Sequence, residues 1–409
     1  MREFVALMAA LMASNALAID SMLPALPAIG DALGVAEENR RQLVITAYLL
    51  GFGAAQIVYG PLSDRFGRKG LLVIGLALYG VFGLLAGIAS SFTLLLTARF
   101  LQGVAAAATR VLVVAVIRDR YEGAGMARIM SLVMIVFMIV PVLAPTFGQA
   151  VLLVASWRHI FIGLGVYGAV LAVWMVLRLP ETLPLERRRP LSVRSISEAV
   201  WATLRIRQSI GNTVAQTMLM GALFAFIGSI QQIVFDVFRR PELIGIVFAC
   251  IAGPMAFSSY ANSRLVMRFG SKRLLLLALA GFTLVALIHL AAAEAVVRED
   301  IWMFVILQAA TMSFFGLIGA NAGALAMEPL GHIAGTASSV QGVITTIGGA
   351  LIGFAIGQQF DGTTLPFLIG FAACGTAALA IAFWANRPPA QDSHDRAEVE
   401  VQETATRPG

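Results

Sequence analysis

Three ionisable side chains stand where this chain can least easily hold them. Asp20 sits midway along an apolar run, in ALAIDSMLP, and Arg99 and Arg110 bracket another, RFLQGVAAAATR. A carboxylate at such depth costs several kcal/mol unless it is paired, hydrated or protonated. Burial favours the neutral acid and a nearby cation favours the carboxylate. A group held between those influences is suited to carrying a proton. Arg99 and Arg110 lie about three helical turns apart and within about 20° of one face. Gly103 and Ala106, between them on that face, leave room for a partner helix or a ligand. Asp20 with Arg99, at similar depth, is the preferred pair, and Arg110 is the alternative. The plainer readings are a fixed helix–helix ion pair for Asp20 and an Arg110 that snorkels to the interface.

A second concentration of charge falls in GPLSDRFGRKG, Gly60 to Gly70. Gly60 permits close helix approach and Gly67 a tight turn. Asp64 is expected near a helix start, which favours an anion. Arg65 and Arg68 are expected to reach carboxylates or helix ends across the molecule, as a charge lock made in one state and broken in another. A simple positive anchor explains the cations but neither the acid nor the glycines.

The elements that must position these groups follow from composition. Of 409 residues, 59% are hydrophobic and 13% charged, with a mean hydropathy of +0.84. Soluble domains carry nearer a quarter charged residues, so lipid is the expected surrounding. Apolar runs give twelve expected membrane helices, at 4–30, 40–60, 70–90, 92–117, 124–151, 156–177, 209–235, 241–262, 272–293, 300–326, 333–358 and 364–385. The fold class is therefore all-α and membrane-spanning. Six helices in 1–177 and six in 209–385 flank a polar central loop, 178–208, and a polar tail, 386–409, is expected to be disordered. The N-terminal run continues past Asp20 toward Ala32, too long for a cleavable signal peptide.

The net charge of +6 reflects topology, and no nucleic-acid partner is expected. Cations gather in the segments on the side of both termini, while Arg40, Arg41, Arg158, Arg239, Arg240 and Arg298 fall on the other. That bias places both termini in the cytoplasm. Cys250 and Cys374 lie in apolar runs, the histidines are scattered, and no HExxH or GxSxG pattern occurs. No metal, cofactor or enzymatic chemistry is expected. RFGRK at Arg65 to Lys69 returns as RFGSK at Arg268 to Lys272, each after the second span of its half, with Met267 in the place of Asp64. Such an echo marks a parallel six-plus-six repeat.

GPLSDRFGRKG resembles the signature of the major facilitator superfamily, and RFLQGVAAAATR is similar to its fourth-span motif. VPVLAPTFGQ, with Pro141, Pro145 and Gly148, resembles the fifth-span antiporter motif, although Gln149 stands where glycine is usual and Ala144 where glycine is frequent. IDSMLPALPAIGDALG, VIRDRYEG, SWRHIF and AGTASSVQG look like the bicyclomycin-resistance (Bcr/CflA-type) drug:proton antiporters. The resemblance implies a twelve-helix fold around a central cavity, proton-driven export from the inner membrane, and a monomer.

The expected partners are a drug-like small molecule, protons as the coupling ion, and membrane lipid. Candidate cavity residues are Met22, Gln102, Met138, Gln216, Phe224, Gln231, Gln308 and Asn321, since methionine and aromatic groups adapt to varied ligands; each apolar one taken singly also fits core or lipid-facing packing. Pro24 and Pro27 remove backbone donors from the outer half of the first span. Gly349, Gly353 and Gly357 form a small-residue ridge for helix packing. Export of an endogenous metabolite on the same fold, and a non-transporting membrane sensor, are the alternative functions.

Overall fold

The computed structural model describes residues 2–188, 193–296 and 299–387. Among them, twelve helical spans are long and apolar enough to cross a membrane: Arg2–Ala32, Glu38–Phe66, Arg68–Gly87, Phe92–Arg120, Arg128–Val154, Arg158–Arg178, Arg207–Val237, Pro241–Phe269, Ser271–Ala295, Ile301–Gly331, Ala334–Gly357 and Leu365–Ala385. They are called spans 1 to 12. The described residues contain no strand, and the chain is a multi-pass membrane protein. Most of the expected tail falls outside the described residues.

Span 1 is discontinuous. Its first helix runs Arg2–Asp20, and a short 3-10 turn, Leu23–Ala25, precedes a second helix, Leu26–Ala32. Pro24 and Pro27 cannot donate to the preceding turn, and the break falls directly after Asp20. Span 10 is also interrupted, between Ile301–Met312 and Phe315–Met327.

Spans 1 to 6 pack among themselves, as do spans 7 to 12. Spans 2 and 4 cross where a Cβ on either Gly51 or Gly103 would collide with the backbone of the other helix, at Phe100 and Tyr48 respectively. The room beside Gly103 is thus filled by a partner helix. On span 11, Gly349 and Gly353 meet span 7 at Met220 to Ala225, and Gly357 meets Gln42 of span 2.

The halves join along spans 2 and 11 and along spans 5 and 8. Their densest polar contacts lie at the end away from the chain termini, here the far end. Asn39 Nδ2 donates to the carbonyls of Gln358 (3.1 Å) and Phe360 (3.0 Å), and Gln358 Nε2 returns to the Asn39 carbonyl (2.8 Å). Gln42 Nε2 donates to Gln232 Oε1 at 2.6 Å, and Gln232 Nε2 to Asn39 Oδ1 at 2.8 Å. Toward the terminal end, Gln56 Nε2 reaches Thr346 Oγ1 at 3.0 Å. No ion pair among the described residues crosses between the halves.

One element absent from the sequence reading lies in the central loop. Val193–Arg205 is a helix with strongly segregated faces, and its Trp201 is 57% exposed beneath the Arg205 guanidinium. The helix packs against spans 7 and 11, with Ala199 and Thr203 fully buried.

Candidate functional site

Asp20 is the last residue of the first helix of span 1 and is 3% exposed. Its Oδ1 has no hydrogen-bond partner in the protein. The carbonyl end of a helix dipole lies beside it, which adds to the cost of an anion there. Span 5 seals this point: a Cβ on Gly148 would collide with the carbonyl oxygen of Ser21. Pro145 is buried and Pro141 half-buried on the same span, so the proline-rich motif sits against the break.

The expected Asp20–Arg99 ion pair is absent. Arg99 is fully buried and spends its donors elsewhere. Nη2 reaches the Ala18 carbonyl at 2.8 Å, Nε the Val44 carbonyl at 3.2 Å, and Nη1 Gln102 Oε1 at 2.7 Å. The guanidinium also lies over the rings of Tyr48 (4.5 Å) and Phe161 (5.6 Å). Ala18 belongs to the last turn before the break, where carbonyls lose their intrahelical donors. Arg99 therefore caps the interrupted helix. Arg110, nearer the terminal end, is exposed.

A polar chain leads away from Arg99. Tyr48 OH donates to Asn15 Oδ1 at 3.0 Å, Asn15 Nδ2 to Thr109 Oγ1 at 2.9 Å, and Tyr79 OH to the Ser14 carbonyl at 3.1 Å. Spans 1, 2, 3 and 4 are thereby linked through uncharged groups that were not singled out from sequence. No charge pattern marks them; their signal is polarity within apolar runs.

The expected cavity residues are distributed over spans 1, 4, 5, 7 and 10. Gln102 is fully buried, held by Arg99 and next to Gly83 of span 3. Met22, Gln231, Gln308 and Asn321 are buried, and Gln216 and Phe224 are half-buried. Asn321 Nδ2 donates to Asn262 Oδ1 at 2.6 Å, and Phe224 packs against Gly353. Nε2 of Gln102, of Gln231 and of Gln308 has no partner in the protein. Met138 lies on span 5 and its side chain is outside the described residues.

The charged motif is arranged differently from expectation. The span-2 helix continues through Phe66, so Asp64 and Arg65 lie in its last turn rather than at the start of span 3. Gly67, at φ +97°, makes the turn alone. Gly60 faces span 11 with only loose contact, at Ser339. Arg65 lies over the Phe66 ring. Arg68 is buried and turns inward: it pairs with Asp64 at 2.7 Å and Asp119 at 3.1 Å, and also bonds Ser63. All of these belong to the first half, so no lock across the halves is made here.

The anion at the start of span 3 is Glu181, which the sequence reading did not select. Its oxygens accept from the N–H groups of Arg68 (2.8 Å), Lys69 (3.2 Å), Thr182 (2.9 Å) and Leu183 (3.0 Å). Burial pushes its carboxyl up, but those four donors outweigh it and hold the group below the usual range. In the second half, buried His289 bonds Glu299 at 2.9 Å, and Thr364 donates to the other Glu299 oxygen at 2.7 Å. This set pins spans 9 and 12 to the residues before span 10.

The sequence profile described as Major Facilitator Superfamily matches residues 8–351 and 236–408. The chain is 32% identical over 362 residues to the "Uncharacterized MFS-type transporter YdgK" of Bacillus subtilis, covering 85% of this chain and 86% of that protein. It is 28% identical over 362 residues to the "Bicyclomycin resistance protein homolog" of Haemophilus influenzae, covering 87% and 89%. The xylose transporter XylE of E. coli, in a partially occluded inward-open conformation, superimposes with a TM-score of 0.71 at 11% identity, over 94% of this chain and 98% of that one.

Proposed function

The chain belongs to the Major Facilitator Superfamily, and from that premise we propose that this transporter exports drugs or similar small amphipathic molecules in exchange for protons. The observation that carries the proposal is Asp20: a buried carboxyl with an unpartnered oxygen, next to a break in a membrane helix and held by no ion pair. Such a group is costly as an anion and inexpensive as an acid. A relative named for bicyclomycin resistance supports a drug as cargo.

The halves 1–177 and 209–385 are the two bodies that rock. Hydrogen bonds among Asn39, Gln42, Gln232 and Gln358 close the far end. With both termini cytoplasmic in the inner membrane, that end faces outward. When it opens, Asp20 takes a proton and drug leaves; on return, the proton passes to the cytoplasm and the drug-binding state is restored. Neutral glutamines and asparagines separate without leaving a bare charge behind, which keeps closure reversible. One charge moved through 100 mV supplies about 2.3 kcal/mol, enough for roughly fifty-fold accumulation. Arg99 holds the break beside the acid. Protons are the coupling ion, and a single chain is sufficient.

The test is a panel of antibiotics and dyes in an efflux-deficient host, followed by uptake into inside-out vesicles. Resistance to at least one compound, with uptake collapsed by a protonophore, is the expected result. Uptake indifferent to the protonophore would remove proton coupling, and no affected compound would remove drug export.

A further inference from the structure

The two copies of the RFG motif open onto different surroundings. In the first half, the N–H groups of Arg68 and Lys69, which begin span 3, are occupied by the Glu181 carboxylate. In the second half, Ser271 and Lys272 hold the equivalent places at the start of span 9, after a Gly270 with φ +72°. Among the described residues no side chain caps that helix.

In place of a carboxylate there is a cavity of about 1000 Å³ at the terminal end of spans 7, 9, 10 and 12. Arg207, Lys272, Arg273 and Arg387 line it against one acid, Glu328. Glu328 is already held by Gln208 Nε2 at 2.6 Å. Among the described residues none of the four cations forms an ion pair. Arg207 donates to the Arg387 carbonyl at 2.5 Å, and Arg387 lies over the Phe383 ring at 4.9 Å. Span 7 also begins here without a side-chain cap. Two helix starts and four cations thus face one space, an arrangement that attracts an anion.

We propose that this cavity holds the phosphate of an anionic phospholipid headgroup, taking the part that Glu181 takes in the first half. The cavity lies at the ends of membrane spans, and exposed aromatic side chains flank it: Phe269 (41%), Phe383 (53%) and Trp384 (48%). Tryptophan, here Trp384, sits at headgroup level, and basic pockets between membrane helices on the inner side bind anionic headgroups. The lipid joins the start of span 9 to the ends of spans 10 and 12.

The full chain, purified in detergent and stripped of lipid, is titrated with phosphatidylglycerol and phosphatidylcholine and read by native mass spectrometry. One phosphatidylglycerol binds in preference to phosphatidylcholine. Lys272→Ala with Arg273→Ala weakens it roughly thirty-fold, the effect of removing two membrane-facing cations, while Arg118→Ala with Arg128→Ala leaves it unchanged. Should the double variant fail to fold, Arg273→Gln alone weakens binding roughly five-fold. Equal binding by variant and parent, or by the two lipids, would overturn the site. Inorganic phosphate stabilising the protein as well as the lipid does would place a soluble anion there and overturn the lipid.

Discussion

Arg99 donates to the carbonyl oxygen of Ala18 at 2.8 Å, two residues short of the Asp20 carboxylate. A guanidinium fixes three acceptors in one plane, which a lysine cannot do. Arg99→Ala leaves the Ala18 and Val44 carbonyls and Gln102 without that donor, in a fully buried position. The expected loss of stability is about 3 kcal/mol or more, measured by chemical or thermal unfolding in detergent. Arg99→Lys should fall between the two. A fully stable Arg99→Ala would show that the helix break does not depend on this cap.

Gly148→Ala introduces a Cβ against the Ser21 carbonyl. Span 5 must then retreat from the break in span 1, at about 1–3 kcal/mol for overpacking. Transport should fall further than stability does, because the contact lies one residue from Asp20. Parallel unfolding and vesicle-uptake measurements separate the two effects; unchanged uptake would remove the motif from the mechanism.

Asp64 and Asp119 both meet Arg68, but their surroundings differ. The Asp64 side chain is 47% exposed and that of Asp119 is 15% exposed. An exposed pair contributes roughly 0–1 kcal/mol, whereas a buried cation that loses a partner costs more. Asp119→Asn should therefore destabilise the protein more than Asp64→Asn. If Asp64→Asn instead abolishes transport at normal stability, this acid acts in a second state in which the halves meet.

Glu181 supplies a pH dependence. Its folded carboxyl is held below its ordinary value of 4.5, burial raising it and the N–H groups of Leu183, Arg68, Lys69 and Thr182 lowering it further. A lowered folded value means that the contribution is complete above 4.5 and is lost as pH falls through the folded value. Glu181→Gln should flatten the acid limb of a stability-versus-pH curve and lower the plateau near neutrality. Identical acid limbs in the parent and Glu181→Gln would contradict the contact.

The sequence carried the architecture because each span is an apolar run bounded by charge or glycine, and lipid imposes a length on each. Burial of Asp20 was legible for the same reason. The partner of Arg99 was not, because backbone carbonyls freed at a helix break have no residue-type signature, and proline announces the break without its geometry. Asp119 and Glu181 come to Arg68 and Lys69 from distant positions that only helix packing joins. Span 2 ran past its expected end because Gly67 alone makes the turn, which moved Asp64 from a helix start to a helix end. The far-end glutamines and asparagines escaped notice because neutral amides leave no charge pattern.

The central claim is that Asp20 carries the coupled proton. The direct measurement compares the parent and Asp20→Asn in proteoliposomes, for a compound to which the transporter confers resistance, with and without an imposed pH gradient. The parent should accumulate the compound under the gradient; Asp20→Asn should bind and exchange it across the membrane but show no accumulation above equilibrium. Gradient-driven accumulation by Asp20→Asn at the parent's level would contradict the account.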